Sequence, residues 1–278
     1  MALSRHKRKR VKVAALITAG LALCGSVAAL GVKLVEQDAT FRDNAAAASR
    51  FTPAPLSPPP TFTPPRLKGV GAALTNKDKR LVIGVVGDST GNAPEEWVGQ
   101  LSRTLSAETG RTVEFFNYNA QIDRYAAKRV YGNASAPLVV YNVGVPGATV
   151  TDLIKRFGLF FPEKPDLIIT SVGHNQLPLN VTRDMNAFTA AIERNWPGAQ
   201  ILVVGQNPAL EAREKRQKAT VANMMSWTDF NGYPSVSVFE AIDKQPDKKS
   251  LYVDPLHLNE AGSKIWAGVV QEYLLKNS

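Results

Sequence analysis

The sequence holds one cysteine, Cys24, among 278 residues. No intramolecular disulfide can form, and no cysteine-based metal site is available. Histidine is almost as scarce, with only His6, His174 and His257 in the chain. A metal hydrolase is disfavoured, since a catalytic zinc takes three protein ligands. Neither a metal nor an organic cofactor is therefore expected. Phosphate-binding signatures are missing too. The turn "GVVGDSTG" (84–91) lacks the G-x-G-x-x-G spacing, and no Lys-Ser/Thr pair follows it. No internal repeat is visible.

The formal net charge of +9 does not extend to the folded part. Of the 33 Lys/Arg and 24 Asp/Glu, residues 1–68 hold 11 and 3, which leaves 22 and 21 for residues 69–278. A nucleic-acid-binding domain normally carries its basic patch in the folded part, so no nucleic-acid partner is expected.

The basic excess sits at the N-terminus. "RHKRKRVK" is followed by "VAALITAGLALCGSVAALGV" (13–32), which has no charged residue. Twenty helical residues at ~1.5 Å rise span about 30 Å, the thickness of a bilayer's hydrocarbon core. Arg5, Lys7, Arg8, Lys9, Arg10 and Lys12 should stay cytoplasmic by the positive-inside rule. Residues 1–35 therefore read as a basic tail and single-pass anchor, with the rest of the chain outside the cytoplasm. A signal peptide cut near Ser26-Val27-Ala28 would instead release a secreted protein. Cys24 in "LALCGS" resembles a lipobox, but Leu23 stands where a small residue is expected. Residues 36–77 read as a linker. Prolines 53, 55, 58, 59, 60, 64 and 65 favour the extended polyproline form, and residues 52–65 could reach ~40 Å at about 3.1 Å per residue.

From residue 78 to 278 short apolar runs alternate with amphipathic stretches. "RLVIGVVG" (80–87), "TVEFFNY" (112–118), "PLVVYNVGV" (137–145), "PDLIITSVG" (165–173) and "QILVVGQNP" (200–208) read as strands buried on both faces. Helices are expected over 94–108, 149–157 and 184–196, the last with Met185, Phe188, Ile192 and Trp196 at helical spacing. A final helix is expected to pack through Ile265, Val269, Tyr273 and Leu274. This alternation predicts an α/β three-layer sandwich around a mostly parallel, five-stranded sheet. Function then belongs in the crevice beyond the carboxyl ends of the strands.

Chemistry-capable residues stand at those ends. Asp88 and Ser89 follow the first strand, and either residue type could simply cap a helix. Asn142, Gly144 and Gly147 are expected in the loop after the third strand, and His174 and Asn175 after the fourth. Asp254 and His257 lie three residues apart before the final helix. A serine hydroxyl needs a base within hydrogen-bond reach. His257 can serve, with Asp254 orienting the imidazole. The amides of Ser89 and Gly147 and the side chain of Asn175 are candidate donors to an oxyanion.

In this order the blocks "VVGDST", "NVGVPGATVTDL", "SVGHNQ" and "DPLHLNEAG" resemble the SGNH-hydrolase superfamily, also called GDSL lipases and esterases. They lie within residues 81 to 263. The resemblance implies a flavodoxin-like fold, Ser89 as nucleophile, His257 as base and Asp254 orienting it. It also implies an oxyanion hole of Ser89, Gly147 and Asn175. Thr90 departs from the leucine of the older name, and Gln176 stands where aspartate is usual. His174 is a candidate substrate contact.

The expected activity is hydrolysis of an extracytoplasmic ester, such as an O-acylated cell-wall glycan or a lipid. Discharge of the acyl-enzyme by a sugar hydroxyl would make an acyltransferase instead, and a non-catalytic binding module is the third reading. Activity is expected to fall as pH drops through the ordinary imidazole range, near ~6.5. Residues 121–136 and 207–236 are candidate substrate-shaping segments. "MMSW" (224–227) reads as core or acyl groove, and "REKRQK" (213–218) as a solvated helix face.

Overall fold

Strand β1, Leu81–Gly87, is buried at every position. Its side chains divide by the two-residue period of a strand. Ile83 and Val85 enter one apolar layer, and Val86 enters the other. This is the seed of a three-layer α/β architecture, seen in a computed structural model that describes residues 67–134 and 136–276. The anchor span 13–32, the Ser26–Ala28 cleavage site, Cys24 and the proline-rich stretch 52–65 lie outside the described residues. Among the described residues no helix is long and apolar enough to cross a membrane.

The remaining strands are β2 (Val113–Asn119), β3 (Arg124–Tyr125), β4 (Arg129–Tyr131), β5 (Leu138–Gly144), β6 (Leu167–Ser171), β7 (Gln200–Gly205) and β8 (Ser235–Ser237). They form one eight-stranded sheet in the order β3-β2-β5-β1-β6-β7-β8, with β4 also paired to β2. All five expected strands are present and mutually parallel. The expected count of five was too low. Strand β8 continues the parallel array beyond β7, and β3 and β4 run antiparallel along the outer edge of β2. These three are two or three residues long and partly exposed, as edge strands commonly are, so they carry no apolar run.

Helices α1 (Val70–Thr75), α2 (Trp97–Thr109), α6 (Phe239–Asp243) and α7 (Glu260–Lys276) cover one face of the sheet. Helices α3 (Val150–Lys155), α4 (Val181–Asn195) and α5 (Glu214–Asn231) cover the other. The expected stripe of Met185, Phe188 and Ile192 in α4, with Trp196 at its C-terminal cap, is buried. In α7 the stripe is displaced by one position. Trp266, Val270 and Leu274 are fully buried, while Ile265, Val269 and Tyr273 are only partly so. Trp266 stacks on Trp97 of α2, with centroids 5.1 Å apart and planes 3° from parallel, and this pairing sets the rotation of α7.

Two further expectations are corrected. The linker does not run to residue 77, because Leu67, Val70 and Leu74 are buried in the core. The segment is also tied by Arg111, itself wholly buried, which donates to the carbonyls of Ala73 (2.7 Å), Lys79 (2.6 Å) and Ala136 (2.9 Å). Of residues 207–236, expected to be a candidate substrate-shaping segment, most form helix α5, whose inner face is core. Met224 and Trp227 of "MMSW" are core. The buried stripe of α5 also contains Gln217, Thr220 and Thr228, which hides its periodicity from a hydropathy reading.

Candidate active site

Strand register brings the candidate loops to one edge. Gly87 pairs with Gly144 of β5 and with Ser171 of β6, so the chain leaves three adjacent strands at the same level. Asn142 and Gly144 prove to lie within β5 rather than in the loop that follows. Asn142 is a support. Its Nδ2 donates to the Gly91 carbonyl and to Asn117 Oδ1, both at 2.7 Å, while Asn117 donates to the Asn92 carbonyl at 2.8 Å. The turn after β1 is thus held from the side. Gly144 leaves room for it, because a Cβ there would stand 2.4 Å from Asn92 Cα.

The turn itself is one 3-10 turn, Ser89–Gly91, and Asp88 is its cap. Asp88 Oδ1 accepts from the Thr90 amide at 3.0 Å and from Thr90 Oγ1 at 2.8 Å. With Asp88 doing the capping, the Ser89 hydroxyl is left for other work. Ser89 Oγ lies 2.9 Å from His257 Nε2, and His257 Nδ1 lies 2.7 Å from Asp254 Oδ2.

The Asp-x-x-His loop is built to hold that line. Asp254 Oδ1 accepts the backbone amides of Leu256 and His257, each at 2.8 Å. The Val253 amide donates to the His257 carbonyl at 2.9 Å, within a short bridge between Tyr252 and Leu258. Partial burial works against the charge of Asp254, but the His257 amide, the His257 ring and the Leu256 amide outweigh it and hold the carboxyl down at about 2. A carboxylate that stays ionised fixes the proton on Nδ1, which leaves the Nε2 lone pair to accept from Ser89.

Gly147 adopts φ +73°, a left-handed torsion that favours glycine, and a Cβ there would meet nothing within 4 Å. Torsion rather than crowding requires glycine at this point. Asn175 Nδ2 donates to the Ala148 carbonyl at 3.1 Å, so the loops after β5 and β6 meet. One of the two amide hydrogens is spent there, and the other remains for an incoming oxygen.

His174 is not placed to touch substrate. It is 2% exposed, and its Nε2 faces Asn207 Oδ1 at 3.0 Å. Burial pushes its imidazole down, and the opposing charge of Asp88 and the Asn207 bond do not offset this. Sequence reasoning did not single out Gln206 and Asn207, both wholly buried, which follow β7. The signal was present, since "VVGQNP" closes an apolar strand with polar residues much as "SVGHNQ" does. Glu96 was also missed. Its Oε2 accepts the Ala93 amide at 2.8 Å, and burial pushes its carboxyl up against the Ala93 bond and the charge of His257. Among the described residues no group of three or more His, Cys, Asp or Glu is placed to hold a metal.

Comparisons with known proteins agree on the architecture. A lipase/acylhydrolase from Enterococcus faecalis superposes with a TM-score of 0.53 at 17% identity, over 70% of this chain and 95% of that one. LAE5, an alpha/beta hydrolase enzyme from the metagenome of Lake Arreo, gives 0.51 at 18% identity, over 70% and 95%. A Lactobacillus plantarum protein gives 0.50 at 17%, over 70% and 97%. At these identities the likeness is one of fold. No curated protein matches the sequence. The profile of the GDSL-like Lipase/Acylhydrolase family, however, matches residues 84–265, a span that runs from β1 into α7. On that match, the chain belongs to the GDSL-like lipase/acylhydrolase family of SGNH serine esterases.

Proposed function

We propose that Ser89 is the nucleophile of this esterase, His257 its general base and Asp254 the group that orients and charges the pair. The carrying observation is the unbroken line from Ser89 Oγ through the imidazole to Asp254, at 2.9 and 2.7 Å. In acylation, Oγ attacks the ester carbonyl carbon as its proton passes to Nε2. The oxyanion is received by the amides of Ser89 and Gly147 and the remaining N–H of Asn175. Collapse breaks the bond to the alcohol oxygen, which takes the proton back from Nε2. Water then repeats the sequence on the acyl-enzyme, releasing the carboxylic acid and restoring Ser89.

The substrate we propose is an extracytoplasmic ester, an O-acylated cell-envelope glycan or a lipid. Support comes from residues 5–32, where a basic cluster precedes an uncharged span of membrane length, and from the proline-rich spacer behind it. The catalytic domain then works outside the cytoplasm, tethered or released. Discharge by a sugar hydroxyl instead of water would make the same acyl-enzyme a transferase.

The test is turnover of p-nitrophenyl esters from acetate to long acyl chains, by the full chain and by Ser89→Ala. Ser89-dependent turnover that peaks at acetate supports a glycan ester, and a peak at long chains supports a lipid. Equal turnover by both proteins refutes the assignment. Added sugar acceptors that raise Ser89-dependent release would move the reading to transfer.

A further inference from the structure

The line from Ser89 to Asp254 leaves two wholly buried amides unexplained. Gln206 and Asn207 stand at the carboxyl end of β7, and neither belongs to a catalytic block. Gln206 Oε1 accepts the His174 amide at 2.7 Å. Its Nε2 lies 3.0 Å from Asp88 Oδ2, 3.1 Å from Thr90 Oγ1 and 3.3 Å from the Ser171 carbonyl. One side chain thus grips both residues that flank Ser89 and the residue that precedes Asn175.

Asn207 continues the connection. Its Nδ2 donates to the carbonyls of Pro208 (3.0 Å) and Leu256 (3.1 Å). With Nδ2 committed to carbonyls, Oδ1 is the acceptor, and His174 carries its proton on Nε2 to meet it at 3.0 Å. Leu256 is the neighbour of His257, and its own amide binds Asp254. A second strap runs beside this one, with the Leu210 amide on the Pro255 carbonyl at 2.8 Å and Tyr252 Oη on the Pro208 carbonyl at 2.5 Å.

We infer that Gln206, seconded by Asn207, is the positioning residue of the active site, joining the serine turn, the asparagine loop and the histidine loop into one frame. The inference rests on the proposed roles of Ser89, Asn175 and His257. The chain of contacts runs from Asp88 and Thr90 through Gln206 to His174, and from His174 through Asn207 to Leu256. Every side chain along it is at least nine-tenths buried. Water cannot replace a lost bond there, and a missing donor leaves its partner unpaired in the interior. Through this chain the loops after β1 and β6 and the approach to α7 are tied together at the height of Ser89. A misplacement of the reacting groups by about 1 Å is enough to cost about 10²-fold in rate.

Gln206→Met keeps the volume and removes every polar contact. It should lower kcat by about 10²-fold with KM little changed, because the loss falls on alignment rather than on substrate binding. Gln206→Glu separates positioning from plain structural support. It keeps the acceptor for the His174 amide, but at neutral pH it sets a second carboxylate against Asp88 and offers no donor. As pH falls the introduced group takes up a proton, raised by burial and by its charged neighbour, and can again donate to Asp88 Oδ2. Activity relative to wild type should therefore rise as pH drops from 8 to 5.5, on protein shown to be folded by near-ultraviolet circular dichroism.

Wild-type kcat in Gln206→Met, or a pH-independent ratio for Gln206→Glu, overturns the inference. Loss of folding in both variants across that pH range overturns it as well, since the amide would then serve the fold rather than the site. Should only Gln206→Met fail to fold, the Gln206→Glu ratio decides. Full turnover by Ser89→Ala and His257→Ala would mark failure of the underlying reading instead, whatever the Gln206 variants do.

Discussion

Asp254 meets His257 twice, through the imidazole at 2.7 Å and through the backbone amide at 2.8 Å. The side chain that orients the ring thereby also closes the loop that carries it. A carboxylate needs only one oxygen for the ring, and the other oxygen binds the Leu256 and His257 amides. Replacing Asp254 with Asn removes the negative charge and lets an amide N–H face Nδ1. The ring would then turn over its tautomer and present a hydrogen, not a lone pair, to Ser89. A fall in kcat of roughly 10⁴-fold is expected, as for other triads that lose this charge. Steady-state kinetics of Asp254→Asn on p-nitrophenyl acetate tests it, and a loss below tenfold would separate Asp254 from the chemistry.

Protonation of Asp254 should not contribute to the activity profile between pH 8 and 5. Asp254 is held at about 2, below its ordinary 3.8. A depressed carboxyl contributes stability that is complete above the unfolded value and is lost only as pH falls through the folded one. Between pH 8 and 5 Asp254 therefore stays ionised, and no loss of activity or stability in that window should trace to its protonation. A destabilisation of the wild type above pH 5 that is absent from Asp254→Asn would contradict this. Loss of folding stability due to Asp254 should appear only below about pH 4.

The N-terminal edge of the domain should depend on Arg111. Its guanidinium reaches the carbonyls of Ala73, Lys79 and Ala136 from a fully buried site. Arg111→Met leaves these carbonyls without their donor, and each buried polar group so stranded costs about 1–3 kcal/mol. Thermal unfolding should move down by several degrees, and limited proteolysis should cut first within residues 67–79. Wild-type melting and an intact N-terminal edge would show that Leu67, Val70 and Leu74 dock without the clamp.

Gly147 offers a smaller, cleaner perturbation. An added Cβ meets no atom within 4 Å, so Gly147→Ala is opposed only by φ +73°. The torsional cost is roughly 1 kcal/mol. A small drop in melting temperature is expected, with a larger proportional drop in kcat than in KM if the amide serves the oxyanion. A variant that loses stability and keeps full kcat would remove Gly147 from that role.

Much of this architecture was legible in the sequence because it rests on runs that hydropathy can see. Strands β1, β5 and β6 are buried on both faces and read as continuous apolar segments. The blocks around Ser89, Gly147, Asn175 and His257 follow strands or precede a helix, where function in an α/β sheet belongs. What stayed hidden depends on pairings far apart in the chain. The rotation of α7 is set by the stack of Trp266 on Trp97, so Ile265 and Val269 were expected on the packing stripe that Trp266 and Val270 occupy. Beyond the solvated face read at 213–218, the extent of helix α5 stayed hidden because its inner face includes Gln217, Thr220 and Thr228. Arg111, distant from α1 in sequence, ties α1 to the rest of the domain through the Ala73 carbonyl. His174 looked like a residue of the site mouth, yet its bond to Asn207 draws it into the interior, and no local pattern announces that.

The central claim is that acyl groups pass through Ser89, and mass spectrometry of the trapped intermediate tests it most directly. The full-length protein, incubated briefly with p-nitrophenyl acetate and quenched in acid, should gain one acetyl group. That group should lie on a peptide containing Ser89 and be absent from Ser89→Ala. Acetyl on any other residue, or turnover in Ser89→Ala equal to wild type, would contradict the account.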